Sequence, residues 1–458
     1  MIQYENIQKA LGAEIAISQR MGNAIYKWNK MYINEAPWLC KEVKSLNLPA
    51  AICQEMARLV TMESQIGING SARADFISQT LEKFFAKLPI YVEHACSAGG
   101  IVFKPYATPD GKIAVDIARC GNFFPTAFNS AGEATGMIFP EFKRAGRKLY
   151  TRLEWHQLDG DTYTVDNRAF VSTKALVRTD DIIRLGQEIP LTEVPEWEAL
   201  EPHVELHNAD RPLFSYFMIP LANNIDVDSP LGVSIYSRAV NQIRDADEQY
   251  GATLWEFRSK ETAIQASSEF FKRTRNGEVI LPKGKERLYH NLGDNITGKN
   301  DEPFFNAFSP DIRDQSFFNG YNKIVQKVEF NSGLAYGTLS DPQVVEKTAE
   351  EIKASKQRSY ATVKSIQNSL QNAIDLLIGA VDAWCDMESL APAGTIETSY
   401  DWDDSLVVDK KSDIEQLRAD VSLGAVGLVE YRMHRFGETE EQAKKMIPDL
   451  IDETNVQE

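Results

Sequence analysis

The stretch from Ser340 to Cys385 constrains the fold of this chain more than any other. It opens with Asp341 as a capping side chain and Pro342 at a first-turn position that needs no donor. After that no Gly or Pro appears until Gly379. Apolar or small residues recur at Ile352, Ser355, Ser359, Val363, Ile366, Leu370, Ala373, Leu377, Val381 and Trp384, in the steps of three and four that define one helix face. The other side carries Glu350, Lys353, Lys356, Lys364, Gln367 and Asn368 and reads as wet. A helix over the whole stretch would be ~65 Å long at about 1.5 Å per residue. One that long must cross something large or be shared between subunits.

The segment just before it, Asn331 to Asp341, has two glycines, small polar residues, an aromatic and no Lys or Arg. It reads as a mobile, uncharged loop between the long helix and another over Asp311 to Phe330. Upstream, residues 1–88 are mostly helical in pattern, with helices at Leu48 to Val60 and at Asp75 to Leu88, the second facing its core with Phe76, Leu81, Phe84, Phe85 and Leu88. From Ile90 to about Phe217 the period shifts towards two, with short strands between Gly, Asp and Asn turns. Glu188 to Asp210, rich in Pro and acid, reads as a surface excursion. A helix comes next at about Ile235 to Lys260, then an insertion from Ala263 to Pro310 with a strand-like Val279-Ile-Leu. A strand after Gly394 and helical segments at Ser412 to Leu423, Gly427 to Arg435 and Thr439 to Ile451 close the chain.

A length of 458 residues predicts two to four structural parts. Lys and Arg number 49 against 66 Asp and Glu, a formal net charge of −17, which argues against a protein that coats nucleic acid tightly. Five scattered cysteines without a C-x-x-C predict neither a disulfide framework nor a zinc site, and a reduced cytosolic birth. The N-terminus lacks a basic region followed by an apolar core, so no signal peptide is expected, and no apolar run is long enough for a membrane span. His203 and His207 flank Glu205 but do not form H-E-x-x-H and read as solvated loop residues. Asp401, Asp403 and Asp404 could hold Mg²⁺ for phosphoryl chemistry, yet clustered aspartates are more often a solvated turn. With no phosphate-cradling loop and no nucleophile elbow, no catalytic residue, metal ligand or cofactor is expected. Lys323, Lys327, Lys347, Lys353, Lys356, Arg358 and Lys364 flank the neutral loop as a wet helical face, of which some, Lys327 and Lys347 first, could face phosphates.

In Lys347-Thr-Ala-Glu-Glu-Ile-Lys-Ala-Ser-Lys-Gln-Arg-Ser-Tyr-Ala-Thr-Val-Lys, in Tyr400-Asp-Trp-Asp-Asp-Ser and in Phe436-Gly-Glu-Thr-Glu-Glu-Gln-Ala the chain resembles the portal proteins of tailed bacteriophages, in the branch infecting Gram-positive hosts. The likeness extends, with gaps, over nearly the whole chain. It implies an α+β portal fold: a wing over 1–228, a first stem helix over 229–263, a small α/β clip over 264–309 and a second stem helix over 310–334. A tunnel loop over 335–341, a long channel helix over 342–385, a strand segment over 386–411 returning to the wing and a helical crown over 412–458 complete it. It further implies a cyclic homo-oligomer, typically of twelve subunits, at the head vertex of the virion, assembled in the host cytoplasm. Double-stranded DNA would pass without sequence preference, touching Tyr336, Gly337, Thr338, Leu339 and Gln343. The terminase large subunit and later a head-tail adaptor would dock on the clip, around Lys283, Lys285 and Arg287, with the major capsid and scaffolding proteins as further partners. The alternatives are a scaffolding or minor capsid protein and a metal-dependent DNA-processing enzyme. A long helix folded back into a self-contained bundle, or broken into pieces with the glycine-bearing segment buried, would count against the portal reading.

Overall fold

The computed structural model of the chain describes residues 4–62, 64–108, 110–172, 185–260, 263–281, 288–294, 296–297, 302, 304–308, 311–341, 349–402, 417–436 and 443–444. It divides into a larger unit, Met1–Thr61 with Ile66–Tyr400, and a smaller one, Met62–Gln65 with Asp401–Glu458. The architecture is α+β, as the sequence predicts. Helices α1 (Tyr4–Leu11), α2 (Gln19–Tyr32) and α3 (Leu48–Thr61) precede a short strand, β1 (Gln65–Asn69), and helices α4 (Ala72–Phe85) and α5 (Leu88–Ala98). Ser18 and Ser71 cap α2 and α4, their hydroxyl oxygens accepting from the Met21 and Ala74 N–H groups.

The strand pattern expected from Ile90 gives way to α5. Pro89 sits in a first turn that needs no donor, and Leu88, Val92, Ala95 and Cys96 bury a stripe at helical spacing. Gly99 ends the helix at a φ of 100°, where a Cβ would come within 2.3 Å of the Gly232 carbonyl oxygen. The backbones touch there because neither residue has a side chain.

Strands β2 (Gly100–Ala107) and β3 (Ile113–Arg119) form a hairpin. Then β4 (Phe124–Phe128), β5 (Ala134–Ala145), β6 (Lys148–Asp159) and β7 (Thr162–Ser172) run as an antiparallel meander. Strands β8 (Gln187–Ile189) and β9 (His203–His207) pair in tandem with the free edge of β7. The stretch read as a surface excursion is thus part of the sheet, and Leu191, Val194 and Trp197 are buried against Ala169. Burying an indole outweighs the local polarity of the segment. On the larger sheet, Ile7, Leu11, Ala13 and Ile15 pack with Phe124, Ile138, Leu153 and Phe170. Strand β10 (Ser215–Met218) returns to the other edge of β2, giving the order β10-β2-β3.

After a 3-10 turn at Ser237–Ala239, α6 (Val240–Ser259) leads out of the sheet region, shorter than expected because Ile235 and Tyr236 are buried before it begins. The insertion after it carries β11 (Ala263–Ala266), β12 (Lys272–Arg273), β13 (Val279–Ile280), β14 (Tyr289–Asn291) and β15 (Phe305–Phe308). They form a small mixed sheet, β14-β11-β15, and a hairpin, β12-β13. Helix α7 (Asp314–Asn331) then runs antiparallel to α6. At the root of the pair the Arg313 guanidinium hydrogen-bonds the Glu256 carboxylate at 3.0 and 2.8 Å and holds that carboxyl down at about 2.

Helix α8 (Ala349–Met387) is continuous over 39 residues, about 58 Å at about 1.5 Å per residue. It is not folded into a bundle, since its C-terminal part lies on β10, β2, α3 and α4. Val363, Ile366, Leu370, Ala373, Leu377 and Val381 are buried as the spacing predicts, together with Ile374, Ile378 and Ala380. Gln367, expected on the wet side, is buried as well, its amide nitrogen donating to the Val60 carbonyl at 3.2 Å. Ser215 and Ser369 tie the helix to β10, donating to the carbonyls of Ala373 at 2.5 Å and Met218 at 2.6 Å. At its C-terminal end the buried Arg73 guanidinium pairs with Asp382 and Asp386 and caps the Ala391 and Pro392 carbonyls. Strand β16 (Glu397–Asp401) then pairs with β1.

A buried polar network joins the two sheets. The Lys104 ammonium meets Glu154 at 2.6 Å and Arg152 meets it at 3.0 Å, while the His156 ring bridges Glu154 at 2.8 Å and the Tyr163 hydroxyl at 2.6 Å. Burial alone would raise the Glu154 carboxyl, but Lys104, His156 and Arg152 outweigh it and hold the carboxyl well below its usual range. Burial lowers His156 despite the pull of Glu154, so the ring is neutral at pH 7 and the charge opposite Glu154 comes from Lys104 and Arg152. With Glu154 ionised, Nε2 is the imidazole nitrogen that donates, and Nδ1 accepts from Tyr163.

In the smaller unit, residues 417–422 are helical and a second helix spans Leu428–Phe436, close to the predicted segments. Arg418 and Arg435 both donate to the Tyr431 hydroxyl oxygen at 3.1 Å. The segment predicted at Thr439 to Ile451 lies almost wholly outside the described residues. No helix among the described residues is long and apolar enough to cross a membrane.

Candidate functional site

The glycine-bearing segment between α7 and α8 is built rather than loose. Asn331-Ser-Gly-Leu ends α7 in a Schellman cap: Gly333 has a φ of 73°, its N–H reaches the Phe330 carbonyl, and the Leu334 N–H reaches the Glu329 carbonyl at 2.9 Å. Leu334 is fully buried beside the turn. The four buried residues of α7 are Asn322, Val325, Val328 and Glu329, one stripe on one face, and the two polar ones fix the segment between Gly337 and Asp341. Glu329 is solvent-free and accepts from the N–H groups of Gly337 at 3.2 Å, Leu339 at 2.6 Å and Ser340 at 2.8 Å, and from the Ser340 hydroxyl at 2.9 Å. Asn322 accepts from the Asp341 N–H at 2.8 Å. Backbone dipoles thus stabilise a carboxylate where the segment itself supplies no cation.

From the other side α8 contributes Ser355, which accepts from the Tyr336 N–H at 2.8 Å, and Arg358, whose guanidinium donates to the Leu334 carbonyl at 3.2 Å. That guanidinium lies between two rings, 4.4 Å from the centroid of Phe330 and 5.2 Å from that of Tyr336. The reading of this segment as mobile is therefore corrected: residues 332–340 are buried or half-buried, fixed by Glu329 on one side and Arg358 on the other. Composition pointed to mobility because Gly, Ser and Thr are usual in free loops. The deciding partner was a carboxylate eight to eleven residues away on the preceding helix.

Of the predicted loop contacts, Tyr336, Gly337, Thr338 and Leu339 are all half-exposed. Gln343 and Lys347 lie outside the described residues, as do Lys283, Lys285 and Arg287 of the insertion. Lys323 and Lys327 are exposed one turn apart on α7, and with Gln326, Phe330, Asn331 and Tyr336 they line a groove of about 450 Å³. Arg358 is withdrawn from the basic set, since its charge is engaged within the loop. Sequence reasoning missed Glu329 and set Arg358 on the wet helical face instead of within the loop. The signal was there for Glu329, a lone acid sharing a face with Val325 and Val328.

His203 and His207 stand exposed on strand β9, not on a loop, and the Asp166 carboxylate, 2.8 Å from the His203 ring, raises that imidazole. Asp401 ends β16 and is exposed, whereas Asp403 and Asp404 lie outside the described residues. Among the described residues no group of three or more His, Cys, Asp or Glu side chains could hold a metal ion. The sequence matches no protein-family model and no curated protein.

Proposed function

We propose that this chain is a portal protein: the subunit of a ring at one vertex of a phage head, through which double-stranded DNA enters during packaging and leaves on ejection. The observation that carries the reading is the compact neutral loop at the junction of a two-helix hairpin with a 39-residue helix rooted in a sheet region. A segment without Lys or Arg between Glu329 and Glu346 gives DNA phosphates nothing to hold, which suits a passage that must let DNA slide in either direction without reading its sequence. A net charge of −17 per chain, multiplied around a ring, acts the same way.

In this reading the sheet region is the wing, α6 and α7 are the stem, the insertion over 264–309 is the clip, and the loop over 335–341 lines the narrowest passage. The mechanism is mechanical and electrostatic. Tyr336, Thr338 and Leu339 offer van der Waals and neutral polar contact to passing DNA. The clip receives the terminase large subunit and later a head-tail adaptor, and the ring, of twelve subunits in the virion, sits among major capsid and scaffolding proteins. The family likeness of the Lys347 and Tyr400 segments adds to this reading.

Two measurements test it. Native mass and negative-stain images of the purified chain are expected to give closed rings with a central hole; a chain that stays monomeric across concentration and salt sinks the proposal. Thr338→Asp, which adds a charge to the loop, is expected to leave ring formation intact and lower the yield of DNA-filled heads at least tenfold. Unchanged packaging would remove the loop from the DNA path.

A further inference from the structure

Proteins grip phosphates in two ways: with the cations of Lys and Arg, and with neutral donors, chiefly backbone N–H groups and hydroxyls. The sequence removes the first from the segment between α7 and α8, and the fold removes the second. From Gly333 to Asp341 every N–H except that of Ala335 has an acceptor within the chain. Backbone carbonyls take those of Gly333, Leu334 and Thr338, while Ser355 takes that of Tyr336 and Asn322 that of Asp341. The remaining three, on Gly337, Leu339 and Ser340, all go to Glu329. The aliphatic hydroxyls are spent as well: Thr338 donates to the Ala335 carbonyl at 2.6 Å and Ser340 to Glu329 at 2.9 Å.

The chemistry of Glu329 suits it to this load. Its Oε1 accepts from the Leu339 and Ser340 N–H groups, and its Oε2 from the Gly337 N–H and the Ser340 hydroxyl. Only a carboxylate accepts four donors in full, since an amide presents one oxygen and two donors of its own. Glu329 is solvent-free and forms no ion pair among the described residues, so the dipoles it gathers are what balance its charge. Each gathered donor therefore points at a buried atom, and the half-exposed side chains of Tyr336, Thr338 and Leu339 are left on the surface of the segment.

We infer that Glu329 is the residue that makes this loop slip: it draws inward the donors with which the segment would otherwise hold DNA phosphates. The inference rests on the reading of the loop as the lining of a DNA passage and adds a positioning residue to it. Lack of Lys and Arg is not enough for slip, because glycine-bearing backbone with free N–H groups is what phosphate-cradling loops are made of.

The test compares the purified parent chain with Glu329→Ala in binding a labelled DNA duplex at fixed ionic strength. Hydrogen exchange in a peptide covering 335–341 is read in parallel. The variant should lose protection in that peptide and bind the duplex at least fivefold more tightly. Acetate, which carries the missing carboxylate, should reverse both changes, and chloride at the same ionic strength should reverse neither. A side chain that merely propped the loop would give loss of protection with no gain in DNA binding, and that result overturns the inference. Tighter binding that acetate does not reverse, or that survives deletion of 335–340 from the variant, overturns it too, by placing the new grip elsewhere. Should the alanine variant not fold, Glu329→Gln, which frees the donors on one oxygen only, should show the same gain at smaller size; no gain there overturns the inference. The comparison needs no assembled ring. A parent chain that stays monomeric therefore sinks the portal reading, while the same two measurements still uphold or overturn the role of Glu329.

Discussion

The C-terminal part of α8 and the α6–α7 hairpin are both helical, both long and clad very differently. Around α8, from Val363 to Val381, apolar residues over roughly half the circumference are covered by β10, β2, α3 and α4, and even Gln367 finds a backbone carbonyl. Along the hairpin much apolar surface stays exposed among the described residues, with Trp255 68% accessible and Phe318 and Phe330 about half accessible. Burial within the chain accounts for the first region and leaves apolar surface of the second exposed. In the proposed ring, stability and assembly would rest on different parts of this molecule.

Leu377→Ala would test that division most severely. The side chain is fully buried between α8 and the sheet region, so its loss should cost about 2–5 kcal/mol of chain stability in urea unfolding, whether or not the chain is assembled. Next comes Glu329→Gln. Replacing one oxygen of a buried acceptor of four hydrogen bonds with an amide nitrogen, which can only donate, should cost about 1.5–3 kcal/mol. Hydrogen exchange should rise in a peptide covering 331–341 while peptides from β2 and the C-terminal part of α8 stay protected. Uniform loss of protection would mean that Glu329 supports the whole fold and not the loop.

The buried network of the sheet region gives a smaller effect with a definite sign. His156 is lowered by burial, so between its folded value and its unfolded value of about 6.5 the unfolded chain binds the extra proton. Its contribution to stability is complete above about pH 6.5 and is lost as pH falls through the folded value. The urea midpoint should drop between about pH 7.5 and 5.5, and His156→Gln should flatten that slope. The smallest expected change completes the comparison. Trp255→Ala should move the stability of the isolated chain by no more than about 0.5 kcal/mol and, in the proposed ring, weaken assembly. Destabilisation on the scale of Leu377→Ala would show that the hairpin face is covered within the chain after all.

The loop shows where local reading ends. Asn331-Ser-Gly-Leu announced a helix end correctly, since a glycine at positive φ is a local requirement. The same residues gave no sign that three N–H groups further on converge upon Glu329. Likewise Trp197 sits in a stretch whose Pro and acid content speaks of solvent, yet β7 offers it a buried seat.

By itself the sequence determined the long helix, the buried stripe from Ser355 to Val381, the run of short strands and turns leading to Phe217 and the break between α7 and α8, because period, caps and glycines act over a few residues. Only tertiary structure decided that the loop is fixed, that Gln367 lies inside, that 88–98 is helical and that α6 and α7 keep apolar surface exposed. Those outcomes depend on which surfaces meet after the chain has turned many times, and burial and hydrogen bonding are settled by neighbours in space.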